Sequence, residues 1–230
     1  MWRAVFHSAL TSALFLSMAH GQPYECFQNS NELRSAVDLY LRNDTSRIST
    51  TYGPTIGSWC VGQLQDFRGI FSNPNAMSFN EQLDGWDMSA ATTTADMFKG
   101  CESFNQDVSM WDMSNVESIA GMFFAATKFN QSLDAWNTSS LVYMNDFCAY
   151  CTVFESDLSS WDTSKVINMG GSFNFAEEFN GDISSWDVSK VVDMSDLFWK
   201  AVKFNADVSK VREDVEPNHI KQRRGSSTCI

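Results

Sequence analysis

The side chains able to do chemistry in this chain are six cysteines, three histidines and a large set of aspartates. The histidines are His7, His20 and His219, so the whole body of the chain lacks imidazole. Ser-His-Asp, Cys-His and histidine-ligated zinc chemistries all need that group, and they are thereby nearly excluded. The cysteines are Cys26, Cys60, Cys101, Cys148, Cys151 and Cys229, an even number that in a secreted chain favours disulfides over redox or metal sites. Cys26 precedes an amphipathic segment and Cys60 adjoins the first of a series of tryptophans, so a bond between them would pin one to the other. Closing that loop of about 33 residues would contribute roughly 3 to 4 kcal/mol by chain entropy. Cys148-Ala-Tyr-Cys151 has redox or zinc spacing, but no second ligand pair stands nearby. Cys148 and Cys151 either bond each other or, with Cys101, fill the core. The pairing of Cys101 and Cys229 stays open.

The aspartates recur at fixed intervals, whereas a catalytic carboxylate pair should occur once. One series, Asp107, Asp157, Asp182 and Asp207, with Gln82 and Ser132 completing it, would form a row suited to calcium or a basic partner if it faces solvent. Its competing role is as a solvated edge or backbone cap. Asn43-Asp44-Thr45 and Asn137-Thr138-Ser139 are glycosylation sequons, so Asn43 and Asn137 are the candidate acceptors. A third sequon, Asn130-Gln131-Ser132, falls on a repeating Asn position that is expected to form a buried ladder. No catalytic residue and no cofactor is expected.

The aspartates and most of the remaining pattern are placed by a repeat of 25. Phe79, Phe104, Phe129, Phe154, Phe179 and Phe204 are evenly spaced, and Trp86, Trp111, Trp136, Trp161 and Trp186 each follow seven residues later. Trp59 and Phe71 begin an earlier unit, with two extra residues around Asn73-Pro74-Asn75. Asn after Phe, Leu/Val/Ile four after it, Asp after Trp and Ser three after Trp recur as well.

Within a unit, FNQDVSMWD predicts a strand of about three to five residues. SKVVDMSDLFWKA spaces Val191, Met194, Phe198 and Ala201 by three, four and three, which predicts a short helix with Ser189 as its N-cap. A unit this small must bury its Phe and Trp against its neighbours. The expected fold is an α/β repeat solenoid, a leucine-rich-repeat-like stack of short parallel strands and short helices. An N-terminal capping helix is read from Leu33, Ala36, Val37, Tyr40 and Leu41, with Ser30 or Asn31 as N-cap.

Residues 1–21, with Arg3, an apolar run from Ala9 to Ala19 and small residues at Ala19 and Gly21, read as a secretory signal peptide. The expected organisation is then a cap over 22–52, about six repeats over 53–211 and a polar tail over 212–230. The net charge of −12 argues against nucleic acid as partner. No segment is apolar over the roughly 20 residues that a transmembrane helix needs, and a monomer is expected.

The pattern FNxDLSxWDxSxVxxMxxxF resembles the repeat of the BspA-type leucine-rich-repeat surface proteins, known also from mycoplasma lipoproteins and secreted microalgal proteins. The resemblance covers about residues 27–211, including the helix and the Tyr52-Gly53-Pro54 entry into Trp59. Cys148 for Phe and Glu155 for Asn depart from it in one unit. It implies an extracellular or cell-surface module that binds protein or glycan through a solenoid face in recognition or adhesion, with no common catalytic activity. The competing reading is a structural spacer of a wall or matrix. An exposed row of side chains that differ from unit to unit would favour recognition over spacing.

Overall fold

The computed structural model describes residues 16–19 and 22–206. The expected signal segment, 1–21, lies outside the described residues except for Leu16–Ala19, as do the tail 212–230, Asp207 and Cys229. Leu16–Ala19 (β1) pairs antiparallel with Gln22–Glu25 (β2). The helix expected ahead of the repeats is present as α1, Ser30–Leu41, and it buries Leu33, Ala36 and Val37. Its cap is Asn29, whose side chain accepts the Glu32 N–H, while Glu32 takes the Gln28 N–H in return. A short α2, Ser46–Thr51, and a 3-10 turn at Ile56–Ser58 lead into Trp59.

The expected α/β solenoid of stacked strands and helices does not form. From Trp59 to Ala206 the chain contains neither an α-helix nor a strand among the described residues. It runs instead as six coils of turns, which we number from their tryptophans: Trp59, Trp86, Trp111, Trp136, Trp161 and Trp186. Neighbouring coils meet at single-residue parallel bridges along Asp66, Thr93, Ser118, Tyr143, Asn168 and Asp193.

The segment read as a helix shows why. In coil 2 the N–H groups of Thr94, Asp96, Phe98 and Gly100 reach the carbonyls of Ser118, Ala120, Met122 and Phe124 in coil 3, at 2.8 to 2.9 Å. The intervening N–H groups of Met97, Lys99 and Cys101 close three-residue turns within their own coil. A helix would send all of them four residues back. The alternation requires left-handed backbone at two places in each of coils 2 to 6, such as Asp196 (φ 54°) and Lys200 (φ 60°), which sit inside the Val191–Ala201 stripe and end any helix there.

Further turns along the coils are held by short polar side chains. Asp87, Asp112, Asn137, Asp162 and Asp187 each accept the N–H of the serine two residues on, at 3.0 to 3.1 Å. The serine column is therefore a backbone donor to an Asx turn, not a helix N-cap. Asp107, Asp157 and Asp182 do the same for Ser109, Ser159 and Ser184. Asn168 and Asp193 do so for Gly170 and Ser195. Side chains of this kind compete with helix and ladder hydrogen bonds, and here they win in every unit.

The core is one aromatic stack. Phe79, Phe104, Phe129, Phe154, Phe179 and Phe204 lie nearly parallel, with centroids 5.9 to 6.0 Å apart. Each later tryptophan donates its indole N–H to the preceding coil: Trp111, Trp136, Trp161 and Trp186 to the carbonyls of Leu83, Val108, Leu133 and Leu158. Trp is thus core and inter-coil hydrogen bond at once. In coil 4, where Cys148 replaces Phe, Phe147 turns inward instead and packs edge-on against Phe123, Phe154, Trp161 and Phe173. The small Ser172 lies at the same position one coil on, fully buried, with its hydroxyl on the Met144 and Met169 carbonyls.

Candidate functional site

Two disulfides are formed among the described residues. Cys26 and Cys60 are bonded, Cα to Cα 4.6 Å, with the Phe27 N–H on the Cys60 carbonyl, so the start of α1 is tied to coil 1. Cys148 and Cys151 are bonded within coil 4. Cys101 is a buried free thiol that meets the Phe71 carbonyl at 3.5 Å, and burial pushes its pKa up to about 12, so it is no nucleophile.

Of the acidic series, Asp107, Asp157 and Asp182 lie among the described residues. All three are exposed, each in its own Asx turn. The Ser109 backbone N–H and then its hydroxyl hold Asp107 below the usual carboxylate range. Asp107 is also two coils from Asp157. Among the described residues no group of three or more His, Cys, Asp or Glu side chains is placed to hold a metal ion. Asn43 and Asn137 are both exposed. The Asn ladder exists, but on the surface: Asn80, Asn105, Asn130 and Asn180 each accept the N–H of the equivalent residue one coil on. Asn80, Asn105 and Asn180 are exposed and Asn130 half-buried, because the acceptor needed is a backbone N–H at the rim of the stack.

The surface feature that the sequence pattern did not display lies along the second left-handed position. Coil 2 has Gly100 there, the residue that position suits. Coils 4, 5 and 6 have Tyr150 (φ 64°), Phe175 (φ 55°) and Lys200 (φ 60°). A bulky side chain in this conformation costs on the order of 1 to 2 kcal/mol. The rings stand in a row with Phe124 of coil 3: Phe124 to Tyr150 is 5.5 Å and Tyr150 to Phe175 4.8 Å, the latter pair stacked. Lys99 lies over Phe124 at one end and Lys200 over Phe175 at the other, each 5.1 Å from the ring centre. Tyr150 is 40 % exposed, and Phe124, Phe175 and Trp199 are half-buried.

Beside the row, coils 4, 5 and 6 form an open cavity of about 230 Å³. Its shape results from the first left-handed position, where Gly69, Asp96, Gly121, Asp146, Gly171 and Asp196 alternate. A Cβ on Gly171 would lie 2.5 Å from the Asp146 Oδ1, and one on Gly121 would meet Asp96 in the same way. Asp96 and Asp146 therefore lie across the glycine of the next coil, and successive coils cannot all carry Asp. In coil 5 Gly170 is also small, and a Cβ there would lie 3.0 Å from the Asp193 carboxylate. The glycines make a floor, flanked by Asp146, Asp193 and Asp196.

A second cavity, of about 450 Å³, opens between α1 and coil 2 and is lined by Tyr40, Asn43, Pro54 and Glu81 among others. The Tyr40 hydroxyl donates to Glu81 at 2.7 Å, and burial together with that bond raises its pKa to about 12. It is a neutral donor that ties α1 to the stack.

With this geometry, a family model described as "Mycoplasma protein of unknown function, DUF285" matches residues 41–155 and, overlapping, 133–220. The chain belongs to this family. The matched DUF285 residues span all six coils. No curated protein and no solved structure matches the chain. No helix among the described residues is long and apolar enough to cross a membrane.

Proposed function

We propose that this chain is a non-enzymatic, extracellular or cell-surface recognition or adhesion module, which binds protein or glycan through one edge of its stacked coils. The observation that carries the reading is the partly exposed row Phe124, Tyr150 and Phe175. The left-handed position that carries two of its rings holds Gly100, Ala125, Tyr150, Phe175 and Lys200 in coils 2 to 6, a different residue in each, and glycine would fill it with less strain. A spacer has no need of either property. The finer resemblance to BspA-type surface proteins, the signal-like residues 1–21 and the two disulfides support an extracellular setting. Exposed sequons at Asn43 and Asn137 suit the same setting.

The test is a binding screen of the purified protein on a glycan array and an array of extracellular proteins. Selective binding that is lost in the double variant Tyr150→Gly, Phe175→Gly is the expected result. Silence on both arrays would move the assignment to a structural spacer of a wall or matrix.

A further inference from the structure

We infer that the edge of coils 3 to 6 docks a protein segment presenting an arginine or lysine beside apolar residues, with the basic head in the cavity and the apolar residues along the aromatic row. The inference rests on the recognition function proposed for this edge and names its partner chemistry.

The cavity decides the charge of the occupant. Asn145, Asp146, Asn168, Asn174, Asp193, Ser195 and Asp196 line it with Gly170 and Gly171, three carboxylates with no lysine or arginine among them. Part of its polar surface is already used: Asp193 Oδ1 accepts from the Ser195 N–H and hydroxyl, Asn168 Oδ1 from the Gly170 N–H, and Asp146 Oδ2 from the Asn145 side-chain amide at 3.5 Å. Acceptors remain on Asp146, Asp193 and Asp196. Asn174, half-buried, is among the lining residues, and its solvent-shielded Oδ1 has no hydrogen-bond partner. A site of acceptors lacking an internal cation suits a donor-rich cation. The carboxylates are not grouped to hold a metal ion, so the fitting cation is an organic one.

The aromatic row decides the class of molecule. A pyranose stacks on a free ring face, but here the faces are taken. Tyr150 and Phe175 cover each other with an interplanar angle of 10°, Lys200 lies over Phe175, and Lys99 over Phe124. What solvent meets is a strip of ring edges flanked by Trp199, a surface suited to aliphatic and aromatic side chains. An arginine can enter the acidic cavity while its neighbours lie on this strip, and the net charge of −12 attracts such a segment from a distance.

The experiment pans phage-displayed random dodecapeptides on the full chain, with a neutral-glycan array in parallel. Enriched peptides should carry Arg or Lys next to an apolar residue. A synthetic copy of one should bind roughly tenfold more weakly to Asp146→Asn, Asp193→Asn and to Tyr150→Gly, Phe175→Gly, and more weakly as salt rises. Asn suits left-handed backbone at 146 and already holds the equivalent turn at Asn168, so unchanged unfolding midpoints will show these variants intact. Enrichment without basic residues, or binding indifferent to both double variants, overturns the inference. Binding confined to the glycan array overturns it while the recognition reading stands. Silence on both arms removes both.

Discussion

The molecule contains two ladders of aromatic rings, one inside and one on its edge. The inner ladder repeats the same residue in every coil, is buried throughout, and keeps its rings 5.9 to 6.0 Å apart. The outer row spans coils 3 to 5, is partly exposed, and seats Tyr150 and Phe175 in left-handed backbone at a position whose residue changes in each coil from Gly100 to Lys200. Both are built by ring stacking, yet burial makes the first obligatory, while nothing in the fold demands the second. A residue that the scaffold needs recurs at the period of the scaffold; a residue that it merely tolerates at a cost is where to look for function.

The sharpest test of that contrast is Phe129→Ala. Phe129 is fully buried between Phe104, Phe123 and Phe154, so the substitution should cost about 3 to 5 kcal/mol. Urea denaturation should show it as a lowered midpoint, and a loss under about 1 kcal/mol would mean that the inner ladder is not what holds the coils together. Trp161→Phe keeps the ring burial but removes the indole donor, leaving the Leu133 carbonyl without that partner. The expected loss is about 1 to 3 kcal/mol, smaller than for Phe129→Ala. Equality of the two would give the indole bond more weight than the packing.

The inner ladder was legible in the sequence and the outer row was not, for one physical reason. Phe, Trp and the Leu/Val positions recur every 25 residues because each coil must bury the same surface against the next. The same periodicity concealed how the backbone does so. Val191, Met194, Phe198 and Ala201 sit at helical spacing, but Asp196 and Lys200 are left-handed between them. The Asp-x-Ser pattern after each Trp reads equally well as a helix entry and as an Asx turn, and only the hydrogen bonds distinguish them. Phe124 falls one position earlier in its coil than Tyr150 and Phe175 in theirs, so no column displays the row. The signal available was Gly100: a glycine at a turn position in one unit and Tyr150 or Phe175 in others marks side chains carried against backbone preference. The acidic cavity was hidden similarly, since Gly and Asp alternate at one position with a period of two coils.

At the outer row, Tyr150→Gly with Phe175→Gly removes ring stacking but relieves two left-handed side chains, effects of opposite sign and each about 1 kcal/mol. The double variant should stay within about 1 kcal/mol of the parent, read from the same urea midpoints. A loss as large as that of Phe129→Ala would make the outer row a second core and dissolve the contrast.

The smallest effect expected belongs to the turns on the rim. Asp112 and Asp162 are held below the usual carboxylate range by the hydroxyl and then the backbone N–H of Ser114 and Ser164 respectively, and Asp187 likewise by Ser189. Because folding depresses these pKa values, the turns stabilise the fold at pH values above the unfolded carboxylate value of about 3.9 and lose that contribution as pH falls through the folded values. Asn137 fills the same turn in coil 4 without a titrating group, with its Oδ1 3.1 Å from the Ser139 nitrogen. The triple variant Asp112→Asn, Asp162→Asn, Asp187→Asn should therefore match the parent closely at pH 7 and lose stability less steeply below about pH 4. Parallel acid limbs in the two proteins would show that protonation acts elsewhere. A large loss at pH 7 would show that the rim needs the charge itself, and that the division between an obligatory interior and a permissive edge is drawn too far out.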